Sequence, residues 1–539
     1  MSRSAPDTRL ATHEVTNQPE PRRSRDAWAE DAALRDAAAR AGADSHALAA
    51  AGAAFGTEEA LARAEDARRD LPRLVTHDRT GRRLDEVRFN DGYHACMALG
   101  IAHGYAAVAW EGRPGGHATH AALVYMLSQL EPGTCCPLTM TYAGHPALAA
   151  APDMAALWQP KLASRSYDPR LLPVAEKRGA TLGMAMTEKQ GGSDVRANAT
   201  RALRDGDHYR LTGHKWFCSA PMSDGFLTLA QAPEGLTCFL VPRWLEGTRN
   251  VFRLQRLKDK LGNHANASSE VEFADTLAIR LGDEGAGVRT IIEMVHHTRL
   301  DTAVAPAGLM RAALSEARWW AAGRTAFQRR LIDQPLMRAV LADLALDWEG
   351  ALALGMAAAR AFDGKGAADR ALARIAVALA KFLNNKLCPL VTVEAMEVLG
   401  GMGYVEETPM PMLYREAPLN GIWEGSGNVI CLDILRTLHR APDSAEALTA
   451  ALMSATGSDR HYDAALKAHV ARWPGAPEEA EARWFAESLA RLLAAAELIR
   501  HAPPAVADAY AATRLTAERG RLTGAIPAAD HTAILERIA

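Results

Sequence analysis

Little in the composition of this chain points to one function. Its seven cysteines (Cys96, Cys135, Cys136, Cys218, Cys238, Cys388, Cys431) are odd in number, scattered and never in a CxxC spacing. That argues against a disulfide framework or a zinc site and for a reducing, cytoplasmic setting. The formal net charge is only −3 over 539 residues, so there is no global signal for a polyanionic partner, although a local basic patch can sit inside a balanced total. No uninterrupted apolar run approaches the roughly 20 residues of a membrane helix, and no charged-then-apolar leader opens the sequence, so no membrane partner is expected. No GxGxxG follows a strand pattern, no histidine set has metal-ligand spacing, and no solenoid period is visible.

What is present is a large core. Residues of hydrophobic type make up 48% of the chain, enough for several packed domains. Residues 1–25 are polar and carry Arg3, Arg9, Arg22, Arg23 and Arg25, which suits a flexible arm or an extended packing segment. From 26 to 178 the Ala/Leu spacing of three and four predicts an α-helical domain. The texture changes at Gly179: short runs such as Tyr209–His214, Leu227–Gln231, Thr237–Pro242 and Glu270–Phe273, punctuated by Gly, Asp and Asn, predict a small β-domain over 179–281. Helical patterns resume over 282–440 (Leu314–Ala326, Met337–Arg360, Ala367–Lys386, Val429–Leu438) as a bundle of about four helices. A further helical stretch, 441–539, reads as an appended domain.

Two segments carry the chemistry. Met186-Thr187-Glu188-Lys189-Gln190-Gly191-Gly192-Ser193-Asp194 is a run whose small residues let a backbone approach a cofactor and offer it N–H groups. Downstream, Ile422-Trp423-Glu424-Gly425-Ser426-Gly427-Asn428 sets one carboxylate beside a flexible turn. In this order, with Lys215-Trp216-Phe217-Cys218-Ser219 and Glu397–Tyr404 around them, the segments resemble the acyl-CoA dehydrogenase flavoprotein family, within it the alkylation-response branch. The resemblance covers roughly 30–440 for the general family and nearly the whole chain for the branch.

That resemblance implies a mainly α fold with a central β-domain, bound FAD, and site residues position by position. Met186, Thr187, Gly192 and Ser193 would hold the flavin and its phosphate, with Glu188 and Asp194 tying down the loop. Phe217, Cys218 and Ser219 would lie beside the ring, Phe217 on its face and Ser219 toward its reactive nitrogen. Arg324 would reach the pyrophosphate, Gly400 and Gly401 the adenosine across a subunit boundary, and Ile422, Trp423, Gly425 and Asn428 would complete the site. Glu424 would be the base that removes the proton α to a thioester; Arg299 is as readily structural. Within the segment that would contact the adenosine, Met412 stands where the family usually has Lys or Arg; separately, bulky Trp423 stands beside the base and His264 where the family commonly has Arg, so acyl-CoA is expected to fit poorly.

The branch further implies a homotetramer that binds double-stranded DNA through its C-terminal domain and has weak activity on acyl-CoA. Residues 441–539 hold ten Lys/Arg against thirteen Asp/Glu, the reverse of a DNA-binding surface. The one local basic cluster there comprises Arg500, His501, Arg514, Arg519 and Arg521, opposed by Asp508 and Glu518, and a solvated helix face explains it equally well. Two alternatives stay open: a metabolic acyl-CoA dehydrogenase whose tail serves assembly, and a non-catalytic, flavin-stabilised DNA-binding or regulatory protein.

Overall fold

A computed structural model describes residues 6–524 and 530–538; Arg3 of the N-terminal arm lies outside them. The first layer is helical: α1 (Ala32–Arg40), α2 (Ser45–Phe55), α3 (Glu58–Arg69), α4 (Asp91–Ala102), α5 (Gly116–Ser128), α6 (Pro132–Ala147) and α7 (Pro152–Leu162). Their starts are chemically marked. Asp31, Asp44, Thr57 and Asn90 each accept a backbone N–H of the first turn of α1 to α4, satisfying donors a helix N-terminus leaves open.

One hairpin interrupts this otherwise helical domain, β1 (Arg73–His77) with β2 (Arg83–Arg88). The Asp78 carboxylate closes its turn by accepting from Thr80 and Arg82. The hairpin joins the β-domain: Arg83 donates to the Leu254 carbonyl and Arg249 to that of Leu84.

The β-domain contains β3 (Leu182–Ala185), β4 (Arg201–Asp205), β5 (His208–Ser219), β6 (Gly225–Ala232), β7 (Gly235–Pro242), β8 (Trp244–Leu245), β9 (Thr248–Arg249), β10 (Arg253–Leu257) and β11 (Ser268–Leu281). Its main sheet runs β10-β11-β5-β4-β6-β3, and β7 pairs with both β6 and β11. Strands β11-β5-β4-β6-β7 therefore close into a ring, with β10 and β3 attached outside it. Side chains alternate inward and outward, and inside lie Leu211, Phe226, Phe239, Phe252 and Phe273.

Beyond Gly287 the chain forms three long helices, α8 (Gly287–Gly323), α9 (Pro335–Asp363) and α10 (Ala367–Val398), with the tight hairpin β12 (Thr325–Ala326) and β13 (Arg329–Arg330) between the first two. α8 is longer than its sequence pattern suggested, because it is buried through much of its length and needs no polar stripe there. Gly308 is required within it: a Cβ there would meet the Tyr125 carbonyl oxygen of α5 at 2.3 Å. α10 is apolar and long enough to cross a membrane by composition, but most of it is buried inside the molecule, as befits a core helix. Then come α11 (Met410–Glu416), α12 (Gly427–Arg440), α13 (Pro442–Met453), α14 (Arg460–Arg472), α15 (Ala482–His501), α16 (Pro504–Arg514) and α17 (His531–Glu536).

Helices α13 to α17 share one continuous hydrophobic core with the bundle. Leu452, Tyr462, Phe485, Leu489, Tyr510 and Ile534 belong to the same cluster as Trp348 and Leu379. The tail thus covers the outer faces of α9 and α10. The N-terminal segment, for its part, is held down from Asn17 onward. Asn17 exchanges two hydrogen bonds with the Thr325 backbone (2.8 and 2.7 Å), Trp319 donates to the Glu20 carbonyl and Arg25 to that of Gln129. Residues 17–25 form an extended strap along the end of α8, the second of the two readings, while residues 6–16 are exposed.

Candidate active site

The site is assembled where the β-domain meets α6, α8 and the turn before α12. After β3, the backbones of Glu188 and Gly191 exchange two hydrogen bonds, which makes the Met186–Ser193 segment a compact turn. Glu188, fully buried, anchors it: its carboxylate accepts from Lys215 Nζ (2.8 Å), Thr200 Oγ1 (2.6 Å), Ala199 N (2.7 Å) and Gln190 Nε2 (2.7 Å). Burial alone would raise its pKa, but the Lys215 ammonium and these donors bring it down to about 2. The Thr187 carbonyl accepts from Trp216 N at 2.8 Å, joining this turn to β5, and the Thr187 side chain packs on Gly192.

On β5, alternation decides which side chains face the site. Phe217 is half exposed, Cys218 is fully buried in the barrel, and Ser219 faces outward with its hydroxyl 3.2 Å from that of Ser268. The expected Cys218 contact is corrected accordingly: its thiol points into the barrel and leaves only backbone for a cofactor.

Glu424 sits in a left-handed backbone conformation (φ 58°), followed by Gly425 at φ 102°. A non-glycine residue there costs on the order of 1 kcal/mol, so the surroundings must hold it. Trp423 Nε1 donates to Asn420 Oδ1 (2.7 Å). Lys381 Nζ donates to the carbonyls of Asn420 (2.8 Å) and Trp423 (3.0 Å), and Arg299 Nε to that of Glu424 (3.3 Å). The Thr298 hydroxyl donates to Glu424 Oε2 at 2.6 Å. Burial raises the Glu424 carboxyl, opposed by Thr298, Lys381 and Arg299.

Cys136 of α6 links the two halves. Burial pushes its thiol up to about 11, and both the Ser219 hydroxyl and the Glu424 charge act on it. Met186 and Trp423 pack on the same cluster as Cys136 and Met140. Thr298, Lys381, Cys136 and Met140 were not singled out from sequence. Thr298, as the sequence neighbour of Arg299, carried the one available signal.

Of the other expected cofactor residues, Arg324, Gly400 and Gly401 lie elsewhere in the protomer, while Ile422 and Asn428 flank the Glu424 turn. Arg324 caps the C-terminus of α8, 26 residues beyond Thr298, or about 39 Å at the helical rise of 1.5 Å per residue. Its guanidinium donates to the Asn17 carbonyl. Gly400 and Gly401 follow α10 with open space around them, about 28 Å along that helix from Lys381. Ile422 is exposed, and Asn428 accepts from Arg483 Nη1 of α15 at 2.9 Å.

The tail arginines do not form one surface. Arg514 is buried and paired with Asp343 (2.6 Å) and Asp347 (2.9 Å) of α9, so its assignment as a DNA contact is corrected: it clamps α16 to the bundle. Arg519 is partly buried and lies 3.3 Å from Asp343. Arg500 and Arg521 are exposed.

A helical domain, a closed β-domain and a helical bundle, with a carboxylate on a strained turn between them, define a protein class: this chain belongs to the acyl-CoA dehydrogenase family. Residues 183–276 match the acyl-CoA dehydrogenase middle domain, 285–439 its C-terminal domain, and 17–169 the adaptive response protein AidB N-terminal domain. Over 94% of its length it is 44% identical to AidB of Escherichia coli (strain K12), covering 95% of that protein, which places it in the AidB branch. Among solved structures it is similar to Caenorhabditis elegans ACDH-11, determined in complex with C11-CoA (TM-score 0.82, 26% identity, 94% of this chain and 92% of that one). It is also similar to the Bd2924 apo-form (TM-score 0.82, 28% identity, 90% and 99%).

FAD is the cofactor of this family, and the residues present fit it. The half-exposed Phe217 ring and the Ser219 hydroxyl share one face of β5, the anchored 186–193 turn is bonded to that strand at Trp216, and Gly400 and Gly401 leave space that side chains would fill.

Proposed function

We propose that this protein is an FAD-dependent oxidoreductase of the acyl-CoA dehydrogenase type, with Glu424 as the base. The observation that carries this reading is the Glu424 carboxylate itself, aimed by Thr298 and fixed on a left-handed turn in a site that shields it. FAD, when bound, supplies the acceptor for the hydride leaving the β-carbon. The chain's own residues do the rest. Met186 to Ser193, Phe217 and Ser219 orient the ring, Cys136, Met140 and Trp423 exclude water, and Glu424 takes the α-proton on a carboxylate oxygen. By analogy with the family, the Glu424 backbone N–H would donate to the thioester oxygen as charge develops there. Trp423, pinned by Asn420, narrows the pocket and supports weak turnover, while the acyl-CoA bound to ACDH-11 supports the substrate class. Arg324, Gly400 and Gly401, remote from Glu424 in one protomer, would reach the cofactor of a neighbouring subunit in a homotetramer. Anaerobic titration with acyl-CoAs tests the reading.

Similarity to AidB and to an adaptive-response domain supports a second property, binding of double-stranded DNA without sequence preference in an alkylation-stress role. The seven cysteines, all buried free thiols, accord with a reducing, cytoplasmic setting. Arg500 and Arg521 remain the tail's accessible candidates, with Arg519 partly engaged. A salt titration of duplex binding by the full chain should give a steep log–log slope. Arg500→Ala/Arg521→Ala should lower it by roughly one per lost phosphate contact. An unchanged slope would move the DNA surface off the tail, and no binding even at low salt would leave the dehydrogenase reading alone.

A further inference from the structure

We infer that Lys381 is a positioning residue for Glu424, holding its strained turn and keeping its carboxylate ionised; this rests on Glu424 being the base. Lys381 lies on α10, 2% exposed, and donates to the carbonyls of Asn420 and Trp423. Arg299 reaches the carbonyl on the other side of Glu424. Two cations thus grip the two peptide units that flank the Glu424 Cα, whose mutual orientation includes the left-handed φ.

The two cations differ in how far their charge is already compensated. Arg299 pairs with Asp433 of α12 at 2.7 Å, and the same carboxylate takes Arg374 at 2.7 Å and Arg436 at 3.6 Å. Lys381 forms no ion pair among the described residues; its hydrogen bonds go to neutral carbonyls. Glu424 is the anion whose charge acts on it. Lys386 on α10 and Arg483 on α15 stand at the start of α12, and Cys136 faces Glu424 from α6. Burial lowers the Lys381 ammonium to about 7, with Glu424 opposing that fall. A lysine in this position need not be conserved in charge for packing alone, since methionine would fill the same volume.

The test is Lys381→Met and Lys381→Gln in the FAD-loaded full-length protein, with Lys381→Arg as rescue. Glu424 protonation is followed without turnover by infrared difference spectroscopy, its carboxyl band assigned by loss in Glu424→Gln. The acid limb of flavin reduction by acyl-CoA is measured in parallel. Both neutral variants should raise the Glu424 midpoint and the acid limb by about one pH unit or more, the size an opposite charge at close range sets. Lys381→Arg should return both most of the way. A Glu424 midpoint unmoved in either neutral variant overturns the inference, even if stability falls, because a packing role does not move it. If the midpoint shifts while no acyl-CoA reduces the wild-type flavin, the positioning role stands and the dehydrogenase reading fails.

Discussion

Glu424→Gln should keep its FAD spectrum and lose acyl-CoA-dependent bleaching by about 10²- to 10⁴-fold, the range expected when a general base is removed. The amide preserves the shape of the carboxylate, so the turn gripped by Lys381 and Arg299 survives, and its oxygen still accepts from Thr298. What it lacks is a site for the α-proton at neutral pH. Stopped-flow reduction under anaerobic conditions, compared at saturating acyl-CoA, separates this from a binding defect. A wild-type reduction rate in the variant would mean that another group takes the proton.

Arg514→Ala should destabilise the protein by about 3–5 kcal/mol, because it leaves Asp343 facing only Arg519 and Asp347 without its partner beneath the tail. Arg500→Ala, on an exposed side chain, should stay within about 0.5 kcal/mol. Thermal melts of the two variants make the comparison. Below its melting range, folded Arg514→Ala should bind duplex DNA as the wild type does, since a buried guanidinium has no phosphate to meet. An unshifted melt would show that the clamp is dispensable. The shared core also explains why point variants are preferable to truncation: removing α13 to α17 would bare the flanks of α9 and α10, including Gly350, against which Tyr510 packs.

The sequence was most informative where chemistry is local. The Met186–Ser193 and Ile422–Gly425 segments could be read because small residues and a lone acid beside a glycine constrain the backbone over a few positions. The β5 strand was legible too, but its parity was not applied. Ser219 and Phe217 share a face, and strict alternation turns Cys218 the other way. The β1–β2 hairpin had its own signal in Asp78-Arg79-Thr80-Gly81 between two strand-like runs, submerged in a helical neighbourhood.

Thr298, Lys381 and Cys136 belong to a different category. They come from three helices and meet Glu424 only because α6, α8 and α10 pack as they do, a long-range outcome that no spacing rule encodes. Arg514 failed for a related reason: a basic residue at a helix end reads as solvent-facing until α9 presents Asp343 and Asp347 one turn apart. The length of α8 was hidden by its burial, since a helix covered on several sides loses the polar stripe by which periodicity is recognised.

The most direct measurement is anaerobic titration of the purified FAD-loaded protein with short, medium and long saturated acyl-CoAs, following flavin absorbance and the enoyl-CoA formed. Bleaching is predicted with at least one chain length, accompanied by an equal amount of enoyl-CoA. A flavin that dithionite reduces but no acyl-CoA bleaches would contradict the assignment of Glu424 as a catalytic base.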